Sequence, residues 1–257
     1  MTDARRTAIR LAPAAVVVLV LLVAWEAYCA LSGISPVVLP SPTRIATALW
    51  DFRATAVGHT LTTLTEAVVG FSVAAVAGVG AAVAMDRVAA VRSALYPLLV
   101  GSQTIPIVAI APLLVIWFGF GLAPKVIVIA LITFFPIVVA LLDAFASTPR
   151  EATDLMETLG ASDDQTFRLL RWPAALPALF TGLRISVPYA VIGAVFGEYV
   201  GATSGLGIWM QTSQNAFRTD LVFGSILIVS VLSVACFLLV GVAERLIVPW
   251  HARRPAH

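Results

Sequence analysis

Eight polar side chains interrupt the long apolar runs of this sequence: Glu26, Glu66, Gln103, Thr104, Thr133, Asp143, Arg184 and Glu198. In apolar surroundings such a group must find a partner, reach water near the end of its run, or line a path for a polar solute. Glu26 and Glu66 fall towards one side of the apolar layer and Asp143 and Arg184 towards the other, which suits a structural role within reach of water. Glu198 stands just before Gly201 and Gly205, where a gate or an interface contact would fit. Gln103 and Thr104 lie beside Pro106 in a run that also holds Pro97 and Pro112, and they are the best placed to line a pathway. Prolines at that density leave backbone groups unpaired, which apolar surroundings tolerate only beside a cavity or a covering neighbour.

A second concentration of polar residues, STPREATDLMETLGASDDQTFRLLRWPAALP from Ser147 to Pro177, reads as two short helices joined at a glycine. Thr148 precedes Pro149 and is followed by Glu151, the order of a helix cap. Ala152, Leu155, Met156 and Leu159 then recur on one helical face. Gly160 offers the left-handed conformation that ends a helix, and Ser162-Asp163-Asp164-Gln165 is a second capping box. Phe167 and Leu170 mark the next helix, which Pro173 and Pro177 are expected to break. The stretch is too polar to cross a bilayer. It suits either a piece that docks into a groove on another protein or a loop lying at the membrane surface.

Catalytic constellations are missing. No GxxxxGK[ST] run exists to cradle ATP and no HExxH to hold zinc, and no serine occupies a nucleophile elbow. His59, His251 and His257 lie at or outside the ends of the apolar runs, and Cys29 and Cys236 have no metal-ligand spacing. The sequence therefore predicts no catalytic and no metal-binding residue.

These residues must be positioned by membrane-spanning helices. The chain has 257 residues, 60% of them hydrophobic and 12% charged, and a mean hydropathy of +0.98. Six runs meet the need for about 20 mainly apolar residues per span: Leu11 to Leu31, Leu61 to Met85, Leu95 to Phe118, Pro124 to Phe145, Leu179 to Val200, and Leu221 to Val248. In lipid each is expected as a helix. Arg5, Arg6 and Arg10 ahead of an apolar run imitate a signal peptide, but the run is long and Glu26 interrupts the cleavage region, so the first span is expected to be retained.

With the N-terminus inside, twelve of the 16 basic residues fall on cytoplasmic segments or span ends, which places both termini and the 147–177 stretch in the cytoplasm. The net charge of +2 reflects this topology and is no nucleic-acid footprint. Between the first two spans, Ile45, Leu49 and Phe52 suggest a short amphipathic helix on the outer surface. Gly70, Ala74 and Gly78, at intervals of four, allow close helix packing within one subunit or between two.

Counted from Gly160, the polar stretch resembles the cytoplasmic loop of permease subunits in binding-protein-dependent ABC importers. Asp154 takes the place of that motif's acid, Leu155 and Met156 its two alanines, Leu170 its isoleucine, and Trp172-Pro173 its Leu-Pro. LPSPTRIATALW, TIPIVAIAPLLVIWFGFG, TGLRIS and GEYVGATSGLG are similar to the branch that imports nitrate, sulfonates and taurine. DLMETLGAS, VIGAVFGEYVGA and ERLIVPW are also similar to relatives assigned to pyrimidine thiamine precursors or riboflavin.

The resemblance implies an all-α, type I importer permease fold of about six spans, one domain over residues 1–257 with a coupling loop at 147–177, in the plasma membrane. It implies no cofactor on this chain, ATP being used by two separate ATPase subunits, and a second permease copy, an external substrate-binding protein and the lipid membrane as partners. Asp154, Leu155, Met156, Glu157, Leu159, Gly160, Ala161, Ser162, Leu170 and Pro173 are the expected ATPase-coupling residues, and Gln103, Thr104 and Glu198 the expected pathway residues. The competing class, a carrier driven by an ion gradient, would want paired ionisable residues at mid-membrane and inverted repeats, and the sequence offers neither.

Overall fold

The computed structural model describes residues 3–250, with side chains from residue 12. The cytoplasmic position expected for the termini rests on Arg5, Arg6, Arg10, Arg253 and Arg254, whose side chains lie outside those described. The described residues form helices joined by turns, with no strand among them. In chain order the helices are α1 (Asp3–Ser32), α2 (Pro42–Asp51), α3 (Arg53–Arg87), α4 (Ala89–Ser102), α5 (Ile107–Phe118), α6 (Leu122–Ala146), α7 (Arg150–Thr158), α8 (Asp163–Thr166), α9 (Trp172–Tyr199), α10 (Leu206–Asn215) and α11 (Thr219–Ile247).

Among the described residues, five helices are long and apolar enough to cross a membrane. The expected third span departs from a straight helix: it divides into α4 and α5, bent by 104° at the Gln103–Pro106 break. Pro106 has no N–H to continue α4 and disfavours helix in the residue before it. The backbone closes instead in tight turns, with the Thr104 amide donating to Gly101 O at 3.1 Å.

Conversely, the break expected at Pro173 and Pro177 does not occur. A π-helical turn, Phe167–Arg171, joins α8 to α9 in one continuous rod, its wide ring closed by the Trp172 amide donating to Phe167 O. Pro173 directly follows this π turn, at the start of α9, where the regular backbone ladder is already interrupted.

α6 is the centre of the bundle. Ile129, Ile137, Val138 and Leu141 are fully enclosed between α3 on one side and α9 on the other. Both neighbours approach closely because their facing residues are small. Gly70, Ala74 and Gly78 of α3 are buried within this chain, and a Cβ at Gly70 would meet the Ile129 side chain at 2.7 Å. On α9, a Cβ at Gly193 would lie 3.3 Å from the Ile129 backbone. Of the two packing roles open to the small-residue spacing, the packing within one subunit is the one seen here.

α1 and α11 lie at the periphery, with Val16 to Leu21 of α1 and Val231, Val234, Leu238 and Leu239 of α11 exposed in the manner of lipid-facing surface. The amphipathic α2 is present as expected. Its buried Ile45 and Ala48 face inward, Leu49 packs on Gly224 of α11, and Glu26 of α1 accepts from the Thr43 amide at 3.0 Å and hydroxyl at 2.7 Å.

Where α3 meets α6, Lys125 forms an ion pair with Glu66. Both residues are buried, at 7% and 5% exposure, so Glu66 is not the water-reaching group that its place near a span end suggested. Removing one partner of such a pair strands the other charge and costs about 3–5 kcal/mol, whereas replacing both is close to neutral. Lys125→Met is therefore expected to lower the unfolding temperature of the detergent-solubilised protein markedly, and the Glu66→Gln/Lys125→Met double variant to recover most of that loss. Equal melting of the single variant and the parent would remove the pair from any part in stability.

Candidate functional site

At one end of the bundle α7, the Gly160 turn and α8 project beyond α6 and α9. The cap expected at Thr148 does not form. Pro149, in extended conformation, takes the N-cap position, so the helix starts one residue late for Thr148, whose hydroxyl is buried without a partner. The other end of α7 follows expectation. Gly160 has φ +81°, with the Gly160 amide donating to Glu157 O at 2.9 Å and the Ala161 amide to Met156 O at 3.0 Å, a Schellman closure. Ser162 then caps α8 in a reciprocal box with Gln165, at 3.3 and 2.8 Å.

No residue of α7 is buried. Leu155 and Leu159 are 59% and 73% exposed, Asp154 and Glu157 are exposed beside them, and Met156 and Ala161 are half-buried. Leu170 and Pro173 are half-buried further along, on the π turn and in α9. The ten residues expected to act in coupling therefore fall into an exposed group on α7 and its cap and a second group at the root of α9.

That root is fixed to the bundle by side chains from other elements. Arg171 donates to Asp86 of α3 at 2.7 Å and to Phe145 O of α6 at 3.2 Å. Asp164 accepts from Arg87 at 3.1 Å and Arg168 at 2.9 Å. Phe145, Phe167 and Trp172 stack together with centroids 5.5–6.4 Å apart, and the Arg87 guanidinium lies 4.2 Å above Phe167. The cationic residues and the aromatic trio make the mount of α8 continuous with α3 and α6.

At the other end of α9, Glu198 is wholly enclosed. Its carboxylate accepts from the Thr63 hydroxyl at 2.6 Å and the Gly207 amide at 2.5 Å. The Leu206 amide donates to Thr63 Oγ1 at 2.8 Å and the Gly205 amide to His59 Nδ1 at 3.0 Å, and the His59 ring stacks on Trp209. Three successive amides that begin α10 are thus satisfied by α3 and α9, not by a cap of α10's own.

Gln103 and Thr104 belong to a different setting. They are exposed at the α4–α5 break and bond locally, to Ser102 and to Gly101 O; no hydrogen bond among the described residues joins either to Glu198. His59, Thr63 and Lys125 were not singled out from the sequence, because their partners lie 59 to 146 residues away along the chain.

A bundle of spans with an anchored polar projection is a transporter subunit's geometry, and comparison with known proteins decides which. Residues 74–252 match the family of binding-protein-dependent transport system inner membrane components. The chain belongs to this family. It is a permease of an ABC importer, embedded in the membrane by several helices, and the ion-gradient carrier is set aside.

The permease is similar to formylaminopyrimidine transport permease protein ThiX of Halalkalibacterium halodurans, 39% identical over 92% of this chain and 94% of the relative. It resembles riboflavin transport system permease protein RibX of Chloroflexus aurantiacus at 38%, over 92% and 89%. Its identity to taurine transport system permease protein TauC of Escherichia coli is 30%, over 90% and 87%.

Glu198→Ala leaves the Thr63 hydroxyl and the Gly207 amide without their acceptor, at about 1–3 kcal/mol for each buried group stranded. Amide exchange at Gly205 to Gly207 of this permease is expected to speed up by about ten-fold or more. Unchanged exchange there would show that Glu198 does not hold α10.

Proposed function

We propose that two copies of this permease form the pathway of an importer in which ATP is hydrolysed by two separate cytoplasmic subunits. Each α7–Gly160–α8 projection docks into a groove on one ATPase, and an external binding protein delivers the solute to the opposite face. Both termini and the projection lie in the cytoplasm, in keeping with the positive-inside bias of the sequence.

The observation that carries the reading is the contrast within the projection. Its outer face offers Leu155 and Leu159 to a partner, while its root is tied through Arg171 and Asp164 to α3 and α6. A push on the exposed face therefore reaches the bundle through side chains paired and packed against α3 and α6, which suits a two-state packing biased by nucleotide on one side and loaded binding protein on the other.

The Gln103–Pro106 break supports the placing of the pathway. Non-helical backbone at membrane depth needs protein cover or water, and in the single chain these residues are exposed. We assign Gln103 and Thr104 to the pathway wall beside the second copy, and Glu198 to holding the α10 end of that wall in place. The solute is a small polar nutrient. A pyrimidine thiamine precursor or riboflavin follows from the two relatives at 39% and 38% identity, and taurine or another sulfonate from the one at 30%.

Leu155→Asp/Leu159→Asp is expected to abolish co-purification of the cognate ATPase while leaving the permease in the membrane. Retention of the ATPase at parental level would sink the docking role of α7. Gly160→Val forces a β-branched residue into the left-handed region and is expected to cut ATP-driven uptake at least about ten-fold with the permease still expressed. Normal uptake by that variant would exclude the Gly160 turn from coupling.

A further inference from the structure

α9 is the most enclosed of the five long helices, yet one stripe of it stays uncovered. Ile185, Tyr189, Ile192 and Phe196, spaced i, i+4, i+7 and i+11, are 40–49% exposed. This is a single helical face. At the Glu198 end of the stripe, Ile192, Phe196 and Tyr199 form one wall of a cleft of about 430 Å³, with Val108 and Ala111 of α5 and Met210 of α10 opposite. That volume holds a small organic solute. α5 enters the cleft directly from the break that exposes Gln103 and Thr104.

Among the described residues, every cation of α5, α6, α9 and α10 has a partner. α5 carries no charged residue, and α6 and α9 carry one cation each, Lys125 and Arg184. Lys125 is sealed against Glu66, and Arg184 is held by Glu244 of α11 at 3.0 Å. Glu198, the one acid of α9, is committed to Thr63 and Gly207. The first turn of α5 supplies at most about half a positive charge. Anion pathways are built around arginine or lysine, and the α5–α9–α10 wall has none to spare. It has instead two aromatic rings and one phenol hydroxyl, surfaces on which a flat ring stacks and to which its edge can hydrogen-bond.

We propose that the α5–α9–α10 cleft is part of the translocation wall and is built for a neutral, flat heteroaromatic solute, a pyrimidine or flavin ring, and not for a small anion such as nitrate or a sulfonate. The assignment rests on the permease reading given above and narrows its solute.

The test uses the complete transporter, this permease with its own ATPase and binding protein in proteoliposomes, offered riboflavin, formylaminopyrimidine, taurine and nitrate in turn. ATP-dependent accumulation of riboflavin or formylaminopyrimidine, without taurine or nitrate, is the expected result. In the same vesicles Phe196→Ala should lower that uptake about five-fold, the loss of one aromatic contact, with the ATPase still bound. Accumulation of taurine or nitrate, or of none of the four, overturns the assignment, as does full uptake by Phe196→Ala. Failure of the ATPase to co-purify with the parental permease would strike instead at the permease reading itself.

Discussion

Charge inside an apolar bundle has to be matched locally, and in this protein one small region meets that demand for three helices at once. Lys125 of α6 pairs with Glu66 of α3, and Glu198 of α9 takes Thr63 of α3 and the start of α10. The small residues that line α3 and α9 let the three helix backbones come close enough for these bonds. Packing and electrostatics are mutually dependent here: without the close approach the charges would be stranded, and without the pairing they would drive the helices apart to reach water. This arrangement holds the start of α10, whose Leu206 and Trp209 also pack with Ala48, Ala56 and Leu221, and the wall of the cleft beside it follows.

The two ends of α9 are held by different chemistry. At the α10 end the contacts are buried, with Glu198 and Thr63 wholly enclosed. At the projection they are partly exposed guanidinium–carboxylate pairs, with Arg171 and Asp86 side chains at 26% and 10% exposure and Arg87 and Asp164 at 35% and 52%. Exposed pairs are individually weak, so the projection's mount relies on the stacked Phe145, Phe167 and Trp172 as much as on charge. One continuous rod thus carries a fully buried end and a partly exposed one.

Hydropathy made the spans legible, and cap chemistry made Gly160 and the Ser162 box legible, because both are local properties. The failures were also local in cause but not in outcome. Pro106 broke a span and Pro173 did not, since the second directly follows a π turn that no propensity scale anticipates. Thr148 missed its capping role by one residue because Pro149 took the extended position. Lys125 stood at the start of a span with no partner in view, and Glu66 looked like a group near the surface, until folding brought together positions 59 residues apart. Glu198 was visible as an intramembrane acid, but its partners at Thr63 and Gly207 come from two other helices and carry no signature in sequence. The exposed character of Leu155 and Leu159 was readable as a stripe, whereas the anchoring of the loop to α3 was not.

The 104° bend between α4 and α5 also bears on how the protein is made. The two arms have 14 and 12 residues, and each is too short to cross a bilayer alone, which takes about 20. Their open backbone between Gln103 and Pro106 is unwelcome in lipid. α5 buries Ala111 and Leu114 against Val128, a residue of α6, the next helix in the chain. The broken pair therefore has its apolar cover only once α6 lies against it, so in the biogenesis of the bundle the bent hairpin is expected to settle no earlier than α6.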